Sequence, residues 1–204
     1  MKDNEATWLT QARSGDDEAF AKIVTDYQKR VFSLCYRMLG NYNDAEDAAQ
    51  ESFLRAYKYL SRYDPNRSFA TWLLSIASHH CIDRLRKKRL PIFSMDNEKH
   101  DWWKPPDPGL NPEADLVKRQ KQERVQMMLD VLKPKDRAAV ILHYWKGYSY
   151  EEISETLSLS ESAIKSRLYR ARRSLAEEWQ KQEAQMQPLD PINLERTPHE
   201  TPAF

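Results

Sequence analysis

The stretch SYEEISETLSLSESAIKSRLYRARRSL, residues 149–175, predicts two helices that share a small apolar core across a tight turn. Ser149 and Glu152 have the spacing of a capping box, which opens the first helix. Ser160 follows the turn and is placed to cap the second helix. The expected shared core consists of Ile153, Leu157, Leu159 and Ile164. This spacing is typical of a helix-turn-helix, whose second helix enters the major groove of DNA.

The second of these helices carries its polar residues away from the apolar stripe, which Leu168 and Ala171 continue. Its first turns would reach base edges through Ser162, Lys165, Ser166 and Arg167. Further along, the candidates for phosphate contacts are Arg170, Arg172 and Arg173. The alternative is a helical hairpin whose basic face is only solvated. Capping box, turn, core spacing and one-sided charge all favour the DNA-binding interpretation.

Apolar side chains recur every three or four residues in the rest of both halves, which predicts helices. Gly40 closes the first long helix, and Asn43, with Glu46 three residues on, is expected to cap the next. The periodic runs are Phe20 to Met38, Phe69 to Ala77 behind the cap Ser68, Val125 to Leu132, and Ala138 to Trp145. The predicted fold is all-α, with two small helical bundles joined by a proline-rich linker and the helix-turn-helix in the second bundle.

Charge and proline divide the 204-residue chain at the same places. The net charge is +1 overall, but it is +3 over 1–89, −3 over 90–118, +4 over 119–182 and −3 over 183–204. The two acidic blocks contain 9 of the 11 prolines. We therefore expect an N-terminal helical domain, a linker, a C-terminal helix-turn-helix domain and a disordered tail, in that order.

The first basic block ends in a charge run, RLRKKR at residues 84–89. Such a run is often a solvated helix end, where cations also favour the helix dipole. Here aromatic and basic residues are interleaved just upstream, a composition that suits single-stranded nucleic acid through stacking and charge. The aromatic residues are Tyr57, Tyr59, Tyr63, Phe69 and Trp72.

The predicted second helix has an acidic stripe made of Asp44, Asp47 and Glu51, with Gln50 alongside. An acidic stripe is commonly just solvated. This one lies beside a surface predicted to bind DNA, which it would repel. A protein partner is therefore the better interpretation.

Several other functions lack their sequence signature. The first ten residues are charged, unlike a secretory leader, and no apolar run approaches the roughly 20 residues that span a bilayer, so we expect no membrane insertion. Cys35 and Cys81 form no CxxC motif and are expected to be buried thiols in a reducing compartment.

An enzymatic alternative is a zinc hydrolase that uses His79, His80, Cys81 and Asp83. No HExxH or CxxC spacing supports it, and we expect neither metal nor cofactor.

Three segments together resemble a bacterial RNA polymerase sigma factor of the extracytoplasmic function (ECF) group. DAEDAAQESF at 44–53 resembles the helix by which sigma factors bind core polymerase. FATWLLSIA at 69–77 with IDRLR at 82–86 resembles the segment that opens and reads the promoter −10 element. GYSYEEI at 147–153 with IKSRLYRAR at 164–172 resembles the −35 reader. The resemblance covers roughly residues 10–180 in the family's order.

The resemblance assigns a role to each matching residue. Core polymerase would be contacted by Asp44, Asp47, Gln50, Glu51 and Phe53. The unwound −10 strand, with a flipped base in a pocket, would be contacted by Arg62, Asn66, Arg67, Ser68, Trp72, His79, His80, Asp83 and Arg84, and its backbone by Arg86, Lys87 and Lys88. At the duplex −35 element, Ser149, Tyr150 and Ser160 would join the residues named above for the second helix. The family often has Asn where this chain has His79.

By this resemblance the protein is not an enzyme. It would give cytoplasmic core polymerase its promoter specificity at stress-response promoters, and an anti-sigma factor would sequester it. The rival from another mechanistic class is a helix-turn-helix repressor or activator that works without polymerase. That rival accounts for residues 119–182, but leaves the acidic stripe and the aromatic-basic block without a role.

Overall fold

The computed structural model describes residues 2–89 and 112–186, and every regular element in these ranges is a helix. The all-α prediction is thereby confirmed. The N-terminal bundle contains α1 (Lys2–Arg13), α2 (Asp17–Leu39), α3 (Tyr42–Lys58), a 3-10 turn (Leu60–Arg62) and α4 (Phe69–Arg89). The C-terminal bundle contains α5 (Pro112–Asp130), α6 (Pro134–Tyr144), α7 (Tyr150–Leu157) and α8 (Glu161–Met186).

The helices extend beyond the boundaries expected from charge and proline. Helix α5 begins at Pro112, inside the segment expected as a linker, and α8 continues to Met186, past the expected end of its domain. The remainder of the expected linker and tail lies outside the described residues. Within the part of the chain that the structure covers, no helix combines the length and apolar character needed to cross a membrane.

Helix ends follow the capping rules with one correction. Asn41, and not Asn43, caps α3: its side chain accepts a hydrogen bond from the backbone N–H of Asp44 at 2.9 Å. The reason is that Gly40 ends α2 in the left-handed conformation, with φ of 75°. The chain therefore turns at Gly40, and α3 begins two residues later, directly after its cap Asn41. Asn43 lies exposed in the first turn.

The capping box of the helix-turn-helix is present as predicted. The hydroxyl of Ser149 accepts from the backbone N–H of Glu152 at 3.1 Å, and the Glu152 carboxylate accepts from the Ser149 N–H at 2.8 Å. Ser160 accepts from the Ala163 N–H at 3.3 Å and so caps α8. The predicted shared core is buried at Ile153, Leu157 and Ile164 and half-buried at Leu159.

Helix α4 is buried on two sides. Leu73 and Leu74 are adjacent in the chain, so they point about 100° apart around the helix, yet neither is exposed to solvent. One side of α4 packs on α2 and α3, and the other packs on α6 and α7 of the C-terminal bundle. A helix that is apolar around most of its circumference belongs in the interior. The two bundles therefore share one continuous core.

Polar contacts also join the bundles, and we call this set the seam. Arg137 Nη1 donates to the carbonyl of Met38 at 2.8 Å, and Gln126 Nε2 donates to the carbonyl of Arg37 at 3.3 Å. Both donors come from the C-terminal bundle and both are almost fully buried. The carbonyls belong to the last turn of α2, where a helix leaves its C=O groups without intrahelical partners. The C-terminal bundle thus completes the end of α2.

Gly40 tests this packing, because a Cβ there would lie 2.9 Å from Nε2 of Gln126. The Gly40→Ala variant would lose the hydrogen bonds of Gln126 in addition to the strain of φ 75°, which costs about 1–2 kcal/mol for a non-glycine residue. The matched control is Gly147→Ala, at φ 70° with nothing within 4 Å of the added atom. In urea unfolding, the free energy of unfolding should fall by about 1 kcal/mol or more further for Gly40→Ala than for Gly147→Ala. Equal losses would contradict the tight packing of the seam on α2.

Candidate nucleic-acid interface

The first half of α8 presents one buried and one exposed face. Ile164, Leu168 and Ala171 are buried against α6 and α7. The exposed face contains predicted base-reading and phosphate-binding residues: Ser160, Ser162, Lys165, Ser166, Arg170, Arg172 and Arg173. Arg173 pairs with Glu177 at 2.9 Å on the surface. The separation of faces is the one that a helix needs in order to lie in a DNA groove while it remains anchored to its bundle.

Arg167 differs from the other basic residues of this helix. Its Nη1 donates to Oδ1 of Asp136 at 2.6 Å, and Asp136 is a buried residue in the first turn of α6. Nη2 of Arg170 lies 3.9 Å from the same oxygen. A buried carboxylate is strongly destabilised without its cation. The structure therefore holds Arg167 inside the bundle, whereas the sequence analysis predicts a base contact for it.

Two tyrosines complete this face. Tyr150 is half-buried beside His143, with ring centroids 5.3 Å apart, and Nζ of Lys165 lies 5.9 Å from the Tyr150 ring. Tyr169 is 64% exposed and follows Lys165 by one helical turn. Tyr169 is not among the residues predicted from the sequence to contact DNA. The signal that could have found it is its position four residues after Lys165, a predicted base-reading residue, on the same face of the helix.

The loop between α3 and α4 has a defined shape. The Tyr63 hydroxyl donates to the carbonyl of Arg67 at 2.6 Å, and the Asp64 carboxylate accepts from the backbone N–H of Asn66 at 3.0 Å. The loop therefore holds Arg67 and Asn66 exposed at its tip. Ser68 ends the loop by capping α4, with its hydroxyl accepting from the Thr71 N–H at 3.4 Å.

Only part of the predicted aromatic surface is exposed. Tyr63 and Phe69 are buried, and Trp72 is half-buried against both, with ring centroids 5.3 and 5.5 Å away. Tyr59 is exposed, and it lies 5.1 Å from the Arg62 guanidinium and 5.6 Å from Nζ of Lys58. Tyr59 with its two cations is therefore open for stacking, and Tyr57, whose hydroxyl donates to Asp17, is exposed as well.

Asp44 binds the basic end of α4. Nη2 of Arg84 donates to Oδ1 of Asp44, and Nζ of Lys88 donates to Oδ2 at 2.7 Å. The Asp44 side chain is 19% exposed, so this carboxylate is largely enclosed by its two partners. The family resemblance predicts a polymerase contact for Asp44 and DNA contacts for Arg84 and Lys88. In the structure these three residues bind one another.

The remaining residues of α4 divide by exposure. Arg86, Lys87 and Asp83 are exposed. The Nδ1–H of His79 donates to the Ser75 carbonyl at 2.8 Å. His80 is half-buried, and burial, with Arg55 and Arg84 nearby, lowers its pKa. At neutral pH a lowered pKa favours the uncharged ring, which can contact a base without bringing its own charge.

The acidic stripe of α3 continues as one exposed face. Asp47 and Gln50 are exposed, and Glu51 binds Nε of Arg55 at 2.7 Å, a contact that lowers the pKa of Glu51. Leu54 is 65% exposed and extends this face by one turn, although the sequence analysis did not select it. Phe53, which was predicted to contact polymerase, is buried in the core.

The residues of the enzymatic alternative do not converge. Cys81 is fully buried, and the neighbouring thiol of Cys35, together with burial, raises its pKa. His79 is engaged with the backbone, and Asp83 is exposed. Among residues 2–89 and 112–186, no three or more His, Cys, Asp or Glu side chains are grouped in a way that could hold a metal ion.

Two regions of the chain match known protein families, and they coincide with the two bundles. Residues 23–90 match Sigma-70 region 2, and residues 122–175 match Sigma-70, region 4. The ECF RNA polymerase sigma factor SigW of Bacillus subtilis is 38% identical over 173 residues, which cover 82% of this chain and 92% of SigW. The ECF RNA polymerase sigma factor SigE of Mycolicibacterium smegmatis is 34% identical, over 79% of this chain and 63% of SigE.

Solved structures share the fold. CnrH, solved in complex with the cytosolic domain of CnrY, superposes with a TM-score of 0.64 at 24% identity, over 87% of this chain and 98% of CnrH. RpoE of Bartonella quintana, solved with the anti-sigma factor NepR, gives a TM-score of 0.57 at 21% identity, over 79% and 96% of the two chains. At these identities the likeness concerns the helical architecture.

The Asp44 contacts predict a stability effect. In the Asp44→Asn variant, Arg84 and Lys88 would face each other one turn apart without their shared carboxylate. We expect the free energy of unfolding to fall by about 1–3 kcal/mol at low salt, since hydrogen bonds to charged groups have that magnitude. The control is Asp47→Asn, whose side chain is 70% exposed and lies 3.9 Å from Arg84. For Asp47→Asn the free energy of unfolding should fall by less than about 1 kcal/mol. If urea unfolding shows the same decrease for both variants, the proposed role of Asp44 is contradicted.

A further prediction compares two ion pairs made by arginines of α8, one with Asp136 of α6 and one within α8. Asp136→Asn leaves the largely buried Arg167 guanidinium without its charge partner, which should cost about 3–5 kcal/mol. Glu177→Gln removes the partner of Arg173 at a site where both side chains are more than half exposed, and should cost less than about 1 kcal/mol. Thermal or urea unfolding measures both. A small effect of Asp136→Asn would mean that Arg167 is available to DNA.

Proposed function

This chain belongs to the extracytoplasmic function group of bacterial RNA polymerase sigma factors. On that premise we propose which of its surfaces binds polymerase and which bind the two promoter elements. The chain binds core RNA polymerase and directs promoter recognition, DNA melting and transcription initiation. We assign the polymerase and −10 surfaces to the domain 1–89 and the −35 surface to the domain 119–182, with 90–118 as the linker and 183–204 as a tail. The observation that carries this assignment is the separation of an acidic face on α3 from basic faces on α4 and α8.

The polymerase surface is the exposed face of α3. Asp47, Gln50, Glu51 and Leu54 lie at i, i+3, i+4 and i+7, so they project from one side of the helix. Two carboxylates around an exposed leucine suit a basic partner surface with an apolar pocket. Asp44 and Phe53 support this face from behind, through the ion pairs with α4 and through the core.

The −10 surface combines the α3–α4 loop with the exposed side of α4. Asn66 and Arg67 at the loop tip and Tyr59 beside Arg62 offer hydrogen bonds, charge and a stacking platform to an unpaired strand. Arg86 and Lys87 are the exposed cations for its phosphates. Arg84 and Lys88 act indirectly, since Asp44 fixes them and they in turn fix the end of α4.

The −35 surface is the exposed start of α8. Ser162, Lys165 and Ser166 are placed for base edges, and Tyr169 adds an apolar ring next to them. Arg170, Arg172 and Arg173 are placed for phosphates. Arg167 supports the helix through Asp136.

The polymerase-independent repressor or activator does not fit the comparisons. That alternative gives no role to residues 1–89, whereas residues 23–90 match Sigma-70 region 2. SigW and SigE, which match over 82% and 79% of this chain, are ECF sigma factors. The sigma-factor interpretation accounts for both bundles.

The remaining expectations follow from membership of the family. Sigma factors recognise promoters and leave catalysis to the polymerase, so we infer that the chain is not an enzyme. It should act in the cytoplasm, where core polymerase works, at stress-response promoters. An anti-sigma partner is supported by the Bartonella quintana RpoE, which was solved with such a factor.

Run-off transcription with purified core polymerase on genomic fragments tests the proposal. The double variant Asp47→Lys/Glu51→Lys should reduce specific transcripts by at least about tenfold, equal to a loss of about 1.4 kcal/mol in polymerase binding. The control Glu18→Lys/Asp26→Lys makes the same charge change at exposed positions of α2 and should retain transcription. Absence of initiation by the unaltered chain, together with duplex DNA binding on its own, would overturn the proposal.

A further inference from the structure

Arg55 lies on α3 between the surface that we assign to polymerase and the one that we assign to the −10 strand. It follows Glu51 by four residues and precedes Tyr59 by four, so it is one helical turn from each. Its side chain is 43% exposed. A binding partner on either surface can therefore reach its guanidinium.

On the polymerase side, Arg55 is bound by a carboxylate of the proposed polymerase face. Its Nε donates to Oε1 of Glu51 at 2.7 Å. The Glu51 side chain is 41% exposed, so a basic group of a partner protein can also reach this carboxylate. Such a group would compete with Arg55 for the same oxygens.

On the DNA side, Arg55 lies next to two parts of the proposed −10 surface. Helix α4 packs against α3, and burial and then the charge of Arg55 lower the pKa of the His80 ring on α4. Tyr59, the stacking platform beside Arg62 and Lys58, is one turn further along α3. An unpaired strand that runs from Tyr59 to His80 passes Arg55, whose planar guanidinium is suited to a phosphate.

Arg84, the other arginine near His80, has a different kind of partner. It is bound by Asp44, whose side chain is only 19% exposed, and it lies 3.9 Å from the exposed Asp47. A partner protein that binds Asp47 therefore leaves the pair of Arg84 and Asp44 in place. The partner of Arg55 is itself on the polymerase face, so polymerase binding changes the contacts of Arg55 more than those of Arg84.

We propose that Arg55 is a further phosphate-binding residue for the −10 strand, and that Glu51 holds its guanidinium until core polymerase binds the Glu51 carboxylate. This inference rests on the proposed function, because it needs both the polymerase face and the −10 surface. Exposed pairs four residues apart on a helix are weak, so the hold reduces DNA binding by a factor of about two. The coupling is reciprocal, and a phosphate on Arg55 favours polymerase binding by the same factor.

A double-mutant cycle on the free full-length chain tests the hold of Glu51 on Arg55. The probe is a fluorescently labelled oligothymidine strand, and its affinity is measured by anisotropy at low salt, where exposed charges are least screened. Glu51→Gln should raise the affinity about twofold. It should also steepen the salt dependence by up to about 0.7, the slope of one phosphate contact on a single strand.

The same change in an Arg55→Gln chain should leave the affinity unchanged, because no guanidinium is released. Glu46→Gln, at an exposed position of the same helix, is the control for loss of one negative charge and should also leave it unchanged. Simple relief of repulsion would raise the affinity equally with and without Arg55. That result would overturn the proposal.

The polymerase complex provides the second test. The DNA is a promoter fragment identified by run-off transcription, with its strands mismatched across the −10 element. Arg55→Gln should leave the affinity for core polymerase at least as high, but should reduce the salt slope of DNA binding by about 0.7. The control Lys22→Gln removes an exposed cation of α2 and should keep the slope of the unaltered chain.

An Arg55→Gln complex with an unchanged slope, while the unaltered chain initiates transcription, would overturn the role of Arg55 alone. Failure of the proposed function has a different signature. In that case the unaltered chain gives no transcripts with core polymerase, whatever the double-mutant cycle shows.

Discussion

The burial of α4 on two sides is the constraint on which the rest of the structure depends. Its inner face completes the N-terminal bundle, and its other face receives the helix-turn-helix bundle. Each face removes positions that could otherwise meet DNA, so Phe69, Leu73 and Ala77 serve the core. What remains for recognition is the α3–α4 loop, a half-exposed strip around the histidines and the charged end of the helix. The location of the proposed −10 surface is a direct result of this double packing.

Carboxylates from neighbouring helices then decide which cations are available. Asp44 engages Arg84 and Lys88, and Asp136 engages Arg167. The pairs leave Arg86, Lys87, Lys165 and Arg172 as exposed cations. A DNA-binding protein needs positive charge on its surface, but it also needs the helices that carry the charge to have fixed orientations. Both bundles meet the two needs in the same way. One arginine, Arg84 or Arg167, forms an ion pair with a carboxylate of a neighbouring helix, and basic residues near it remain free to bind phosphate.

Much of the fold could be predicted because its signals are local. The capping box at Ser149, the shared apolar core around Ile153 and the basic face of α8 all follow from spacings of a few residues. The features that local spacing does not reveal also have physical causes. Glu46 completes a capping-box pattern with Asn43, which predicts Asn43 as the cap, whereas the left-handed Gly40 sets the actual start of α3 behind Asn41. The pairing of Asp44 with Arg84 joins residues 40 positions apart, and that of Asp136 with Arg167 joins residues 31 apart, which no helical period reveals. Phe53 was predicted to contact polymerase from the resemblance of residues 44–53 alone, whereas in the structure it is buried and the adjacent Leu54 is exposed.

The capping of α2 by residues far along the chain has a consequence for biosynthesis. Met38 and Arg37 are translated well before Arg137 and Gln126, whose contacts span 99 and 89 positions. Domains generally fold as units in the order in which they leave the ribosome, and helical bundles with mostly local contacts fold quickly. The N-terminal bundle can therefore form while the end of α2 and one flank of α4 still face water. The nascent chain passes through a stage in which this flank is open, and it is covered only once the helix-turn-helix bundle has been synthesised.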